Sequence, residues 1–551
     1  MKTLLFAALI LLASGSIAGG QKPAPASKPV APVAAPPAEA AALQKPEDIL
    51  KNAGPVPPEH VEKLKEYKKY ASDPDVRVRS DQQERLSVVD HPEAAKLLIE
   101  SGLRDDAYRV HERAAWALSR HKSAASIAYA RALFKSGTEE IKMGCAIALS
   151  KMTPKPAGAA AEVAAALSAG PKESLKIAYC QALGFFADTA GTTALMAHLQ
   201  GTESVVVAAA DALGLVKDPD AAPALIKLLK GGTWRTQVAA IDALELLRVK
   251  ESVGPLIEYL TNAEGKPRED AKDALQRITA RQFGMNAADW VSWWKDNEAG
   301  FKVPTEAELA KVEAKEKDVD DGYGRKHKVV EYHRIKTYSR RLLFVVDVSA
   351  SMNQIIKVKR GYDAVDKKFQ ASPKIDLARH ELKSVLKTLD KDTWFNVVAF
   401  ETDIRAWKKE AVQASPASVA EAVQWVERQR PQDGTEERMS LARDENGWLM
   451  GRTNTYGALK FIYGRPLKPG RGVTGNPKPL GNSDTVFFLT DGEPTEGEST
   501  NVDEILKDVE LWNKTAKLTI HTIGMSETTG LRTLLDGMAR ATGGKCVFVG
   551  E

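Results

Sequence analysis

Three oxygen-bearing side chains alternate directly after an apolar run in the second half of the chain. Asp347, Ser349 and Ser351 follow the apolar residues 342–346, and an apolar run of that length between polar residues is typical of a buried strand. Alternate residues of an extended segment point to the same side, so we expect the three side chains to converge beyond the strand. Because such oxygens suit a hard divalent cation, the pattern predicts a metal site there.

Two later segments add oxygens of the same kind. Thr453 lies in the sequence GRTNT at 451–455, and Asp491 directly follows a second apolar run at 485–490. The ordered set DxSxS, GxTNT and TDG resembles the metal-ion-dependent adhesion site of von Willebrand factor type A domains. The resemblance covers residues 340–551, and three motifs in the right order are more specific than one.

The resemblance implies a role for each of these five residues. Ser349 and Ser351 would bind the metal directly, Thr453 directly or through water, and Asp347 and Asp491 through water and hydrogen bonds to the hydroxyls. Mg²⁺ is the expected ion, with Mn²⁺ or Ca²⁺ as alternatives, and it retains waters in most protein sites. One water position can therefore pass to an acidic side chain, which implies metal-bridged capture of a Glu or Asp of a protein partner.

One departure from the family pattern concerns the third hydroxyl. A polar insertion at 435–449 precedes the GRTNT motif, and its first residue, Thr435, is a rival to Thr453. Thr453 is preferred because Asn454 and a helical pattern follow it, as in the family. We expect the insertion to lie on the metal-bearing face and to influence partner choice.

From residue 340 onward strand and helix patterns alternate, which predicts an α/β doubly wound, mainly parallel sheet covered on both faces. Ligands of such Rossmann-like sheets bind at the carboxyl ends of the strands, at a topological switch point. The predicted strands lie at 342–346, 394–400, 405–407, 485–490, 518–523 and 546–549. The predicted helices lie at 375–389, 418–428, 455–463, 502–515 and 530–542.

The first half of the chain repeats itself. Leucines that follow small residues recur at intervals of 31, 34, 30, 31 and 31 residues, namely Leu118, Leu149, Leu183, Leu213, Leu244 and Leu275. A period of this size predicts an α-solenoid, and the units resemble HEAT repeats. Trp290, Trp293 and Trp294 follow the last unit and are expected to cap it, with a tryptophan-lined ligand groove as the alternative.

The remaining segments predict export and a domain order. Residues 1–18 have the charged start, apolar run and small-residue cut site of a secretory signal peptide. Residues 19–58 form a Pro/Ala-rich tether that is expected to be disordered. The repeats with their cap occupy 59–299, and a charged linker, in which 328–332 has the pattern of an extra strand, occupies 300–339. The expected location is periplasmic, on the cell surface or secreted, as for a bacterial envelope protein.

Composition excludes several function classes. The net charge of +4 over 551 residues is too small to indicate nucleic-acid binding. After the signal peptide no apolar run is long enough for a membrane span. Cys145 and Cys180 lie in successive repeats, where buried thiols are favoured over a disulfide.

Familiar catalytic motifs are missing from the sequence, which lacks GxxxxGK[ST], GxSxG and HExxH. We therefore expect a non-enzymatic adhesion or assembly protein with a metal-dependent site and a solenoid as a second binding surface. The alternatives are an envelope scaffold whose metal only stabilises the fold and a hydrolase in which Asp347 and Asp491 hold a catalytic metal.

Overall fold

The computed structural model describes residues 45–313, 329–358, 372–431, 451–465 and 483–550. These residues separate into two compact units, one that ends at Ala224 and one that begins at Leu225. The predicted signal peptide, the insertion at 435–449 and its Thr435 lie outside the described residues. The domain boundaries drawn from the sequence therefore stay predictions.

The first unit consists of helices joined by short turns, with a π-helical turn at Leu98–Gly102. Its helices are Pro46–Asn52 (α1), Pro58–Tyr70 (α2), Val76–Leu86 (α3), Pro92–Leu97 (α4), Tyr108–Leu118 (α5), Ala124–Ser136 (α6), Glu139–Lys151 (α7), Ala159–Ser168 (α8), Glu173–Phe186 (α9), Thr192–Ala197 (α10) and Glu203–Val216 (α11). Helix α12, Ala222–Leu229, contains the division between the two units.

Close helix packing explains the repeated small residues. Leu118, Leu149, Leu183 and Leu213 are fully buried near the ends of α5, α7, α9 and α11. A Cβ on Gly184 would lie 3.0 Å from Ala212 Cα, so the small residues allow α9 and α11 to approach closely. The helical-repeat prediction is confirmed.

The end of the predicted tether is folded, which corrects the sequence prediction. Residues 46–52 form α1, which begins at Pro46 and buries Ile49. Proline suits the first helical position because its missing N–H has no helical partner there. Since α1 packs on α6, a single apolar residue is enough to anchor this polar segment.

The two cysteines of the first unit are free, buried thiols. Burial raises the pKa of the Cys180 thiol to about 12, and burial likewise raises the pKa of Cys145. Both side chains are therefore unreactive core residues rather than a disulfide.

The second unit combines further repeat helices with a sheet. Its helices after α12 are Trp234–Leu247 (α13), Val253–Asn262 (α14), Lys266–Thr279 (α15), Ala287–Asn297 (α16), Glu306–Glu313 (α17), Lys374–Thr388 (α18), Pro416–Arg428 (α19), Thr455–Ile462 (α20), Val502–Ala516 (α21) and Thr529–Thr542 (α22). Its strands are Val330–Tyr332 (β1), Ile335–Thr337 (β2), Arg341–Asp347 (β3), Trp394–Phe400 (β4), Ile404–Ala406 (β5), Val412–Gln413 (β6), Thr485–Thr490 (β7), Thr519–Gly524 (β8) and Cys546–Phe548 (β9).

The main sheet has the predicted, mainly parallel topology. Its strand order is β5-β4-β3-β7-β8-β9, with β6 also paired to β4. Strands β3, β4, β7, β8 and β9 are parallel, and only β5 and β6 run antiparallel to β4. The chain leaves β3 for β4 on one side and later returns to β7 on the other, so the topological switch point lies at the carboxyl end of β3.

Side chains of β3 alternate between two cores, as expected for a strand covered on both faces. Phe344 packs in the core beneath α18 and α19, and Val345 packs in the core beneath α20, α21 and α22. The extra strand expected at 328–332 is β1, which among the described residues pairs with β2 in a two-stranded sheet. Tyr332 of this hairpin meets Phe344 and Phe487 edge-on, with ring centroids 5.5 Å apart in each case.

The last repeat helices share a core with the sheet. Trp234 and Val238 of α13 lie in the same apolar cluster as Val345, and Lys517 contacts Asp242 at 3.2 Å. Glu269 of α15 accepts a hydrogen bond from the backbone N–H of Tyr338 at 2.7 Å, just before β3.

The carboxyl of Glu269 gives this contact a pH dependence. Burial raises the pKa of Glu269 to about 7, from an ordinary value of 4.5, and the charges of Asp270 and Asp273 act in the same direction. Because the raised pKa belongs to the folded state, stability is fully present below pH 4.5 and is lost as the pH rises through 7.

Glu269→Gln keeps the acceptor for Tyr338 and removes the charge. At pH 8 we expect the variant to be more stable than wild type by about 1–2 kcal/mol, less than the full linkage value because the side chain is partly exposed. At pH 4 the two proteins should unfold at the same temperature. Thermal unfolding at both pH values, with the exposed Glu298→Gln as control, measures this; an equal gain at both pH values contradicts it.

Candidate metal centre

The two aspartates lie side by side at the carboxyl edge of the sheet. Asp347 is the last residue of β3, and Asp491 directly follows the neighbouring strand β7. Both are buried, with 0% and 3% of their surfaces exposed. The parallel register of β3 and β7 therefore brings together two carboxylates that are far apart in sequence.

Hydroxyl groups connect these carboxylates. The Oγ atoms of Ser349 and Ser351 are 3.1 Å apart, and Ser351 Oγ donates to Asp491 Oδ1 at 2.7 Å. Asp347 accepts the backbone N–H of Ser349 at Oδ1 at 2.7 Å and the hydroxyl of Thr490 at Oδ2 at 2.5 Å. Both carboxylates thus orient the loop that carries the two serines.

Thr453 faces the same volume. A Cβ on Gly492 would lie 3.8 Å from Thr453 Oγ1 and 3.9 Å from Ser351 Oγ. The backbone holds Thr453 in place, because its N–H donates to Thr495 Oγ1 and its carbonyl accepts from the N–H of Thr495, both at 3.0 Å. The structure therefore brings all five residues of the predicted site together, whereas Thr435 lies outside the described residues.

Asn454 fixes the loop after Thr453. Its Oδ1 accepts the N–H of Gly457 at 2.8 Å and caps α20, and its Nδ2 donates to the carbonyl of Thr402 at 3.1 Å. An asparagine at this position satisfies a backbone donor that the helix leaves unpaired. The cap explains why Asn454 and a helix accompany the threonine in the motif.

Sequence reasoning missed Glu401, which ties the loops together. This buried residue accepts the N–H of Gly451 at Oε2 at 3.1 Å, and its backbone carbonyl accepts the N–H of Asn454 at 3.0 Å. Ala350 in turn donates to the carbonyl of Gly451 at 3.0 Å. Nothing in the local sequence around Glu401 signals contacts this distant.

Lys374 was missed as well. Its Nζ lies 2.8 Å from Asp491 Oδ2 and 3.0 Å from Gln354 Oε1, and 8% of its side chain is exposed. A lysine in the first turn of a helix opposes the helix dipole, and this was the only signal that the sequence offered.

The repulsion between the two aspartates favours a cation, although the Lys374 ammonium already balances part of the charge of Asp491. Burial, and then the neighbouring charge of Asp491, raise the pKa of Asp347, against the hydrogen bonds from Thr490 and Ser349 that lower it. A bound cation would relieve this repulsion, and hydroxyl and carboxylate oxygens are the ligands that Mg²⁺ prefers. Among the described residues no group of three or more His, Cys, Asp and Glu is arranged for a metal. The hydroxyl and carboxylate oxygens that are present fit a hard divalent cation such as Mg²⁺.

Two protein-family models each match a region of the chain. Residues 160–244 and 192–276 match the model of HEAT repeats, and residues 364–444 and 449–548 match that of the von Willebrand factor type A domain.

The chain carries HEAT repeats followed by a von Willebrand factor type A domain.

The type A match includes Thr453 and Asp491 but begins after Asp347, Ser349 and Ser351.

Individual relatives match one part of the chain at a time. Mouse inter alpha-trypsin inhibitor heavy chain 4 is 26% identical over 181 residues, which is 33% of this chain and 15% of the relative. A von Willebrand factor type A structure from Catenulispora acidiphila is 18% identical, covers 39% of this chain and 40% of its own, and has a TM-score of 0.25. The structure of the CpcE–CpcF complex of phycocyanin lyase from Nostoc is 19% identical and has a TM-score of 0.25. The match covers 49% of this chain and 100% of the chain in that structure.

None of the helices in the described part of the chain combines the length and the apolar character that crossing a bilayer requires.

Asp347→Asn removes one of the two buried charges of the type A domain and keeps an acceptor for Ser349. In chelator at pH 8 we expect Tm to rise by a few degrees, because the raised pKa of Asp347 means that wild type loses stability as the pH rises above 3.8. The gain in Tm on adding MgCl₂ should shrink in the variant. Calorimetry with the exposed Asp392→Asn as control measures both effects; a lower Tm in chelator, or an undiminished magnesium gain, contradicts the charge argument.

Proposed function

We propose that this protein is exported and binds a protein partner through its type A domain, where a divalent cation captures an acidic side chain. The cation is Mg²⁺, with Mn²⁺ or Ca²⁺ able to replace it. The HEAT repeats provide a second interaction surface. The protein acts without turnover, in adhesion or assembly at the cell envelope or outside the cell.

The observation that carries this proposal is the convergence of hydroxyls around two engaged carboxylates. The hydroxyls of Ser349 and Ser351 are 3.1 Å apart, and those of Ser351 and Thr453 both lie within 4 Å of one point beside Gly492. Asp347 and Asp491 each accept hydrogen bonds from protein donors at both oxygens. Uncharged hydroxyl oxygens offset less of a cation's positive charge than carboxylates do. A bound Mg²⁺ would therefore keep much of its attraction for an incoming carboxylate.

Ile355 supports a protein as the partner. This residue is 56% exposed, and it follows Gln354, whose amide contacts Lys374 beside Asp491. An exposed apolar side chain in the segment that follows the two serines would suit a partner whose acidic residue lies beside an apolar one. Recognition would then combine charge with apolar contact, as in other protein interfaces.

The comparisons support a binding role over catalysis. Both matched families, and the relatives named as heavy chains of an inhibitor, are consistent with protein interaction. The chain spans only 15% of the length of the mouse heavy chain, so we transfer no activity from it. Export rests on the signal peptide expected at 1–18 and the Pro/Ala-rich stretch that follows it.

The test replaces both metal-site serines, as Ser349→Ala with Ser351→Ala. On an array of short peptides that each carry a Glu beside an apolar residue, wild type should retain a subset in MgCl₂ and lose it in chelator. The double variant should bind that subset at least about tenfold more weakly, a cost of about 1.4 kcal/mol or more.

Two controls make this test decisive. Ser384→Ala, an exposed serine on α18, should leave binding unchanged, and peptides with Gln in place of Glu should not bind. Binding that persists in chelator or on the Gln peptides would refute metal-bridged capture. A double variant with a lower Tm but normal peptide binding would assign the metal a purely stabilising role.

A further inference from the structure

A lysine ammonium lies inside the candidate metal centre. Lys374 Nζ is 2.8 Å from Asp491 Oδ2, and the two side chains are 8% and 0% exposed. This is a buried ion pair rather than a surface contact, so each charge depends on the other for compensation. The type A domain thus contains a cation of its own in contact with one of the carboxylates of the expected metal site.

The position of Lys374 within its helix shows that the helix itself does not require the charge. Lys374 is the first residue of α18 and follows Pro373. The positive end of the helix dipole repels a cation there, and burial adds a desolvation cost. Within the described residues, Asp491 and the Gln354 amide oxygen at 3.0 Å offset these costs.

The pair determines what Asp491 can do. Its Oδ2 is engaged by Lys374, and its Oδ1 accepts the hydroxyl proton of Ser351 at 2.7 Å. Because Asp491 accepts the hydroxyl proton of Ser351, the lone pairs of that hydroxyl point away from the carboxylate and are available to a cation. Direct chelation of a cation by Oδ2 would require breaking the ion pair.

We propose that Lys374 is a positioning residue that withholds Asp491 from direct metal ligation and weakens divalent-ion binding in favour of partner capture. The ammonium repels a divalent cation, and it also stabilises the site when no metal is bound. The ion is then held by neutral hydroxyls and keeps its attraction for an incoming carboxylate. This inference rests on the proposed function, because it concerns how strongly the same site binds its metal and its partner.

The test uses Lys374→Met, which keeps the aliphatic stem, and Lys374→Gln, which keeps a donor but no charge. Titration calorimetry with MgCl₂ should give at least about a tenfold lower Kd for both variants than for wild type, because a repelling charge is gone and Asp491 becomes available. In chelator both variants should melt several degrees lower, because a buried carboxylate loses its partner. Lys387→Met, an exposed lysine on the same helix, serves as control and should change neither value.

Peptide binding in saturating MgCl₂ separates this role from a merely structural one. We expect the peptides retained by wild type to bind the Lys374 variants at least about threefold more weakly, although magnesium binds more tightly. A structural defect would instead weaken both, and equal or weaker magnesium binding in the variants would overturn the inference while leaving metal-bridged capture intact.

The remaining outcomes concern the two proposals separately. If wild type takes up no magnesium but the Lys374 variants do, the ammonium is the resident cation of the site, which supports its withholding role and refutes metal-dependent capture. If no form takes up magnesium, both proposals fail.

Discussion

The type A domain buries two carboxylates at the ends of neighbouring strands. Their negative charges must be offset by hydrogen-bond donors or cations, and the surrounding loops are organised around that requirement. Asp347 and Asp491 are brought together by the pairing of β3 with β7, and water is largely excluded from both. The structure compensates them with one backbone N–H, two hydroxyl groups and one ammonium. The serine and threonine hydroxyls remain oriented towards a common volume because these contacts leave the loops little freedom.

The fold supplies the rigidity that such compensation needs. Strands β3 and β7 are buried on both faces, so their ends are fixed by apolar packing rather than by the loops. Glu401 and Asn454 then connect the loops to one another and to a helix cap. The hydroxyls are therefore positioned before any ligand arrives, which reduces the ordering cost of binding.

Most of the architecture is predictable because it rests on local patterns. The long strands and the helices of the type A domain follow from apolar runs and helical periodicity, with ends displaced by one or two residues. The two-residue β6 is too short to leave a pattern.

Lys374 and Glu401 escaped prediction because their partners lie 117 and 50 residues away, and the helix at 46–52 did so because one isoleucine anchors it. The packing of the last repeat helices on the sheet also depends on contacts between residues that are distant in the sequence, so no local pattern predicts it.

That packing has a mechanical consequence. Trp234 and Val238 of the final repeats lie in one core with Val345, two residues before Asp347 in the sequence. Tension applied by a ligand held at the end of β3 would pass into that core and so into α13. The packed side chains of that core would therefore carry the load in shear.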